Sequence, residues 1–495
     1  MKGSITASTP ILRLLGAAGA AVLVHGYHLG SDDAEIYVPA IKKAADPALY
    51  PFGAEFFQTH AHLSWFPDLV GGFVRITGLP ADWAILLCHV TGVFLLLLAA
   101  WRLACGCFES RAARWGGVLL LAAAFSTPVA GTALVIMDPY VTARSLSTPG
   151  ALFAVAEYVS GRRARAWGWL LFTALVHPQM AAYGAVLLGG REWAERRQRT
   201  PAPVVVSASW VGWSLPFVFA LEPVQGPARE ALLSRTYFFV SEWAWYEWLG
   251  VIAPLALLWW FSAAGPRRAT PASSRLARML VLLGLLATAG GLLLITSARL
   301  ENYTRLQPMR AFHLIYLILF VLIGGLLGEY ALRGQAWRWL AFFASLAVMM
   351  YGASRASYPF SPHLELPGAP TANPWIDTFE WIRRNTPRDA VFAMDPNYMA
   401  VPEDDQHGFR AIAERSALAD NVKDSGAVSL FPQLAEDWKS QVIAQTGWRH
   451  FARSDFEKLA RAYPVTWIVT SHPAPAGLVC PYSNAKLAVC RINGG

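Results

Sequence analysis

Gly30-Ser31-Asp32-Asp33-Ala34-Glu35 sets three carboxylates within four positions, directly behind the first long apolar run of the chain. A helix needs roughly 20 apolar residues to cross a bilayer, and residues 11–29 supply them. The acids therefore stand at a membrane–water boundary. Neighbouring carboxylates there are costly unless a metal, a cation or water meets them. A loop of about fifty residues, 30–82, follows before the next apolar run.

Composition extends this reading to the rest of the chain. Its 495 residues are 55% apolar and only 15% charged, with 21 Trp. The mean hydropathy is +0.35. Long uncharged runs fill residues 1–354, and a Pro-rich linker (355–374) leads to a segment, 375–495, with ordinary soluble composition. The net charge of +8 does not imply nucleic-acid binding. Its Arg residues collect in short loops between apolar runs, where the positive-inside rule places them.

The expected fold is an α-helical polytopic membrane protein with about ten full spans, a re-entrant helical hairpin and a small external α/β domain. Spans are expected at 83–104, 115–136 (kinked at Pro128), 145–160, 203–221, 246–263, 279–297, 311–330 and 338–354, besides an uncleaved first span at 11–29. Residues 167–189 are interrupted by His177-Pro178-Gln179. Read as a hairpin, they leave Arg162, Arg163 and Arg165 on the same side as Arg191, Arg196 and Arg197. With the N-terminus cytoplasmic, the acidic loop, Asp138 and residues 375–495 fall on the external face of a bacterial inner (plasma) membrane. Residues 36–43 are expected to lie along the membrane surface, and 63–78 to form a surface or partly embedded helix.

In the outer segment, 390–394, 466–470 and 487–492 read as strands, alternating with helices at 375–385, 431–446 and 454–463. Cys480 and Cys490 pair if this segment faces an oxidising compartment.

A first span, a long loop opening on paired acids, another acid (Asp138) after the third span, a basic-flanked hairpin and an outer C-terminal domain together resemble the C-type superfamily of membrane glycosyltransferases. Arg144-Ser145-Leu146-Ser147-Thr148-Pro149, the His177-Pro178 turn and Asn385-Thr386-Pro387-Arg388-Asp389-Ala390-Val391-Phe392 also look like a bacterial family of membrane proteins with no established activity. The first resemblance implies that Asp32 or Asp33 is the general base for an acceptor attacking a polyprenyl-linked sugar. It also implies that Asp33 and Asp138 are the oxygen ligands where a divalent cation, Mg or Mn, is used. Asp-Asp-Ala-Glu departs from the Asp-x-Asp that such a metal site favours. The alternative reading has Asp32 and Asp33 capping the helix that begins near Ala34.

Arg235, Arg305 and Arg310 sit near external span ends and are candidates for the donor phosphate, which guanidinium groups bind in bidentate fashion. Snorkelling to lipid headgroups is their other reading. Arg144, six residues after Asp138, is expected to pair with it. His60 and His62 have the spacing of zinc ligands but no third partner nearby, which favours chance. Phe238 to Tyr246 reads either as an interfacial aromatic belt or as a stacking platform. Asp395, Glu403, Asp404, Asp405, Arg410 and Arg415 read as a solvated loop. No nucleotide fingerprint or Ser-centred elbow occurs.

The activity implied is transfer of a sugar from a polyprenyl-phosphate donor to an acceptor on the external face, with membrane lipids and the lipid-linked donor as partners. A non-enzymatic envelope-assembly anchor is the alternative, and a transporter a third reading.

Overall fold

A computed structural model describes residues 10–199, 222–401, 405 and 407–492, with the backbone alone for 193–199. The expected span 203–221 and the acids Glu403 and Asp404 lie outside the described residues.

Among the described residues up to 199, nine helices follow one another: α1 (Ile11–His25), α2 (Ala34–Ala45), α3 (Glu55–Ala61), α4 (Phe66–Thr77), α5 (Ala81–Cys107), α6 (Arg111–Ala123), α7 (Arg144–Val159), α8 (Arg163–Val176) and α9 (Pro178–Arg199). Among the described residues, five helical stretches are long and apolar enough to cross a membrane. They are Ala81–Cys107, Trp245–Ala264, Pro271–Leu294, Glu301–Leu332 and Ala336–Ser357. The chain is thus a polytopic, mostly helical membrane protein.

Several expected spans are shorter or broken. α1 stops at Gly26, whose φ of 82° ends the helix. The stretch 115–136 is not one helix. Ser126-Thr127-Pro128 halts α6, and 124–137 folds into a buried loop in which Val129 N–H donates to Leu134 O at 2.8 Å. Ala130 and Ala133 take positive φ in that loop. Irregular backbone at this depth needs protein cover, and Trp243 provides it: a Cβ on Gly131 would come within 2.5 Å of its ring. α6 instead packs against Ala311–Leu326 at a glycine crossing, where a Cβ on Gly116 would lie 2.1 Å from Gly324 O.

α8 and α9 fold back on each other at His177-Pro178. The Trp167 indole N–H donates to Glu192 at 3.1 Å across the hairpin. Arg163 and Arg191 both lie 5.9 Å from the Tyr158 ring, so the flanking basic residues share one end.

The outer segment carries a mixed five-stranded sheet ordered β2-β1-β3-β5-β4: β1 Val391–Ala393, β2 Ser416–Ala417, β3 Trp467–Ser471, β4 Val479–Ser483 and β5 Leu487–Arg491. β1 is parallel to β2 and β3, while β5 is antiparallel to β3 and β4. A disulfide joins Cys480 on β4 to Cys490 on β5. One sheet face buries Phe456 and Leu459 of the Arg453–Ala462 helix. The other shares a core with the membrane part, in which Phe379, Phe392, Phe409 and Trp467 cluster with Tyr37, Ile41, Phe57 and Ile85.

That shared core explains why α2 is no surface helix. Its residues Ala34 to Lys42 are all buried. Its polar side chains are met from the outer segment. Glu35 accepts the backbone N–H groups of Arg410 and Ala411 at 2.9 and 2.8 Å. Lys42 bonds Ala411 O at 2.9 Å and pairs with Glu414 at 2.8 Å and Asp82 at 2.7 Å.

Candidate functional site

The segment ahead of α2 is held on two sides. Tyr27 N–H donates to His363 O at 3.0 Å, Glu365 N–H to Tyr27 O at 2.8 Å, and Gly408 N–H to Gly30 O at 2.7 Å. Asp32 then turns through a left-handed conformation, φ 52°, which aspartate tolerates better than most residues. The turn leaves both carboxylates on the Lys423 ammonium but gives each a different second partner.

Asp33 caps nothing with its side chain; the first N–H groups of α2 are met by the carbonyls of Ser31, Asp32 and Asp33. Its Oδ2 accepts from Arg144 Nη2 and its Oδ1 from Lys423 Nζ, both at 3.2 Å. Asp32 accepts from the Tyr140 hydroxyl at 2.8 Å and from Lys423. Arg144 pairs with Asp138 through Nε at 2.9 Å, and Thr142 donates to the same oxygen. Burial alone would raise the Asp33 carboxyl. Arg144 and Arg310 reverse that and hold it below the usual carboxylate range.

These groups meet at a cavity of about 740 Å³ between the membrane helices and the outer segment, lined at its polar end by Asp33, His60, Arg144, Arg235, Arg305, Arg310 and Lys423. The predicted arginines therefore converge with Asp33. Arg235 donates to Val422 O and Ser425, and Arg305 to Leu430 O at 3.1 Å. Arg310 lies 5.5 Å from the Tyr237 ring, and its buried Nε has no hydrogen-bond partner among the described residues. The rest of the lining is largely apolar and includes Val176, Val186, Leu283 and Leu286. Val186 is 52% exposed and Leu286 64%, and Leu286 lies on a helix long and apolar enough to cross a membrane.

Asp32 and Asp138 are not part of the lining. Asp138 stands behind Arg144, whose guanidinium spans the gap to Asp33. The two carboxylates named as a metal pair thus share an arginine. A different group, His28, Glu365 and His407, has ligand atoms within 4.8 Å of one another and can hold a metal ion.

Other sequence readings resolve as follows. His60 faces the cavity, its Nδ1 unpartnered and its ring 5.5 Å from Tyr37. His62 is exposed. Helical geometry turns residues two apart to different faces, so the pair shares no site. Burial holds the His60 imidazole down at about 4. The aromatic run divides: Tyr237 and Phe238 line the cavity, whereas Trp245 and Tyr246 are exposed. Arg410 and Arg415 are not solvated. Arg410 makes a two-pronged pair with Asp424 at 3.0 and 2.8 Å, and Arg415 donates to the Arg383 and Thr386 carbonyls.

Residues 373–440 match a domain of unknown function (DUF6798); Lys423, Arg410 and His407 fall inside it. No curated protein matches the chain. Among solved structures it is similar to the arabinofuranosyltransferase AftD from Mycobacteria, at 14% identity and TM-score 0.48 over 98% of this chain. This chain spans only 40% of that protein. It is also similar to ArnT from Cupriavidus metallidurans, a structure bound to undecaprenyl phosphate, at 12% identity and TM-score 0.35, covering 98% of this chain and 99% of that one.

Proposed function

We propose that the chain is a membrane glycosyltransferase moving a sugar from a polyprenyl-phosphate donor to an acceptor at the external face of a bacterial plasma membrane. One observation carries this reading. A single cavity is lined by a carboxylate, Asp33, by the cations Arg144, Arg235, Arg305, Arg310 and Lys423, and by apolar side chains, of which Val186 and Leu286 are exposed. That is the shape and polarity of a lipid-linked phosphate: the chain lies along Val186 and Leu286, and the phosphate meets Arg235, Arg305 and Arg310.

Asp33 accepts the proton of the incoming acceptor as the bond from the donor sugar to phosphate breaks. Its low protonation range keeps it ionised at neutral pH. Arg310, with its uncommitted Nε, stabilises the departing phosphate. Lys423 and Arg144 hold the Asp33 carboxylate in place. A Mg or Mn ion on Asp33 and Asp138 has no role here, since Arg144 already answers both charges. The Cys480–Cys490 disulfide supports an external, oxidising location for the outer segment.

A non-enzymatic anchor for the outer segment would need neither the cavity nor its cations. The test uses purified full-length protein in lipid with a radiolabelled polyprenyl-phosphate sugar. Asp33→Asn is expected to lower transfer by at least about 100-fold, and Arg310→Gln to weaken binding of the polyprenyl phosphate. Transfer unchanged in Asp33→Asn sinks the assignment.

A further inference from the structure

Glu365 lies in the linker, far in sequence from either histidine it touches. Its Oε1 is 2.7 Å from His28 Nδ1 and 2.7 Å from His407 Nε2. Its Oε2 accepts the Leu29 backbone N–H at 3.0 Å. His28 is wholly buried, His407 is 2% exposed, and the Glu365 side chain is 9% exposed. Two imidazoles and one carboxylate, dry and converging, form the donor set that divalent zinc-class ions take up. Magnesium and calcium, which prefer all-oxygen ligands, do not suit it.

We propose that His28, Glu365 and His407 bind one divalent transition metal of the zinc class, and that this ion is structural. Ligands at about 2.0–2.1 Å from a tetrahedral ion stand about 3.4 Å apart. Each 2.7 Å contact therefore opens by well under about 1 Å to admit it, while the two histidine nitrogens, within 4.8 Å of each other, close towards that spacing. The Leu29 N–H on Oε2 already orients the carboxylate, as outer partners of metal ligands do.

The location gives the ion a task. His28 ends the apolar entry, Glu365 belongs to the linker, and His407 pairs across from Ser31. One ion ties all three segments together four residues before Asp32. It fixes the strand that presents the acids without contacting the cavity, and the inference does not depend on glycosyl transfer.

The experiment uses full-length, untagged protein in detergent, stripped with a chelator and titrated with Zn²⁺. Bound zinc is counted by elemental mass spectrometry after gel filtration, and melting is followed with and without the ion. About one zinc per chain is expected, together with a rise in Tm. Glu365→Gln and His407→Asn should each weaken binding by at least roughly tenfold and remove the Tm rise. Glu365→Gln keeps the size and polarity of the side chain, so it decides alone if His407→Asn does not fold. No zinc retained by the native protein, or an affinity within tenfold of native in Glu365→Gln, overturns the proposal. The cluster is then a hydrogen-bonded His–Glu–His bridge.

Discussion

Asp32 and Asp33 share Lys423 but differ in their other partners. Asp32 takes a left-handed turn to reach Tyr140 and Lys423, while Asp33 looks into the cavity. Asn also tolerates that turn. Asp32→Asn is therefore expected to retain measurable transfer in the lipid-reconstituted assay, where Asp33→Asn does not. Arg410 is a different case, 2% exposed and ringed by Asp424 and Glu35. Its replacement by Met strands buried carboxylates and should cost about 3–5 kcal/mol, read by denaturant unfolding in detergent. His60 predicts a pH effect. In the folded chain its imidazole titrates near 4, against 6.5 when free. As pH falls through that window the unfolded chain takes up the proton first, so stability declines. The decline in Tm should be shallower in His60→Gln. The sequence made the acids and arginines legible because each stands at a span end. Lys423 was not legible: its partner Asp32 lies 391 positions away, and no local spacing encodes that. The meeting of His28, Glu365 and His407 is hidden for the same reason: it joins positions 337 and 42 residues apart.

Elements were legible where one period of apolar residues sufficed. The helix Trp245–Ala264, the hairpin at His177-Pro178 and strands β1, β3 and β5 follow the pattern the sequence announces. Two places do not. The apolar run of α6 continues past Ala123 and so suggests a full span, since hydropathy does not distinguish a largely buried loop from a helix in the same setting. The amphipathic pattern of α2 suggests a surface helix, but the polar face meets residues 375–495 in place of water. The crossing of α6 with Ala311–Leu326 gives a sharp test. Gly116→Ala drives a methyl group against the Gly324 carbonyl and should destabilise by roughly 1–3 kcal/mol in the same unfolding measurement. Gly19→Ala, inside α1 where the new methyl meets open space, should not destabilise and is expected to gain up to about 1 kcal/mol.

On the scale of the molecule, the change in composition near residue 355 marks where the chain leaves the membrane helices. It does not mark where the core ends. Phe392 and Trp467 share their cluster with Tyr37 and Ile41. A fragment of residues 355–495 is therefore expected to expose that face and to aggregate or remain loosely packed, checked by gel filtration and near-UV circular dichroism. A compact monomer with well-resolved aromatic signals would count against the shared core.

The clamp on residues 27–30 also orders events in time. A ribosome delivers the acid-bearing turn early, but His28 meets Glu365 only 337 residues later. At about 5–20 residues per second that is a wait of roughly 20–70 s. Throughout it the membrane holds an unfastened nascent chain. Any product cut short before residue 365 keeps its acids but lacks the piece that holds them, so for the proposed transfer reaction truncated copies are expected to be inactive in the bilayer.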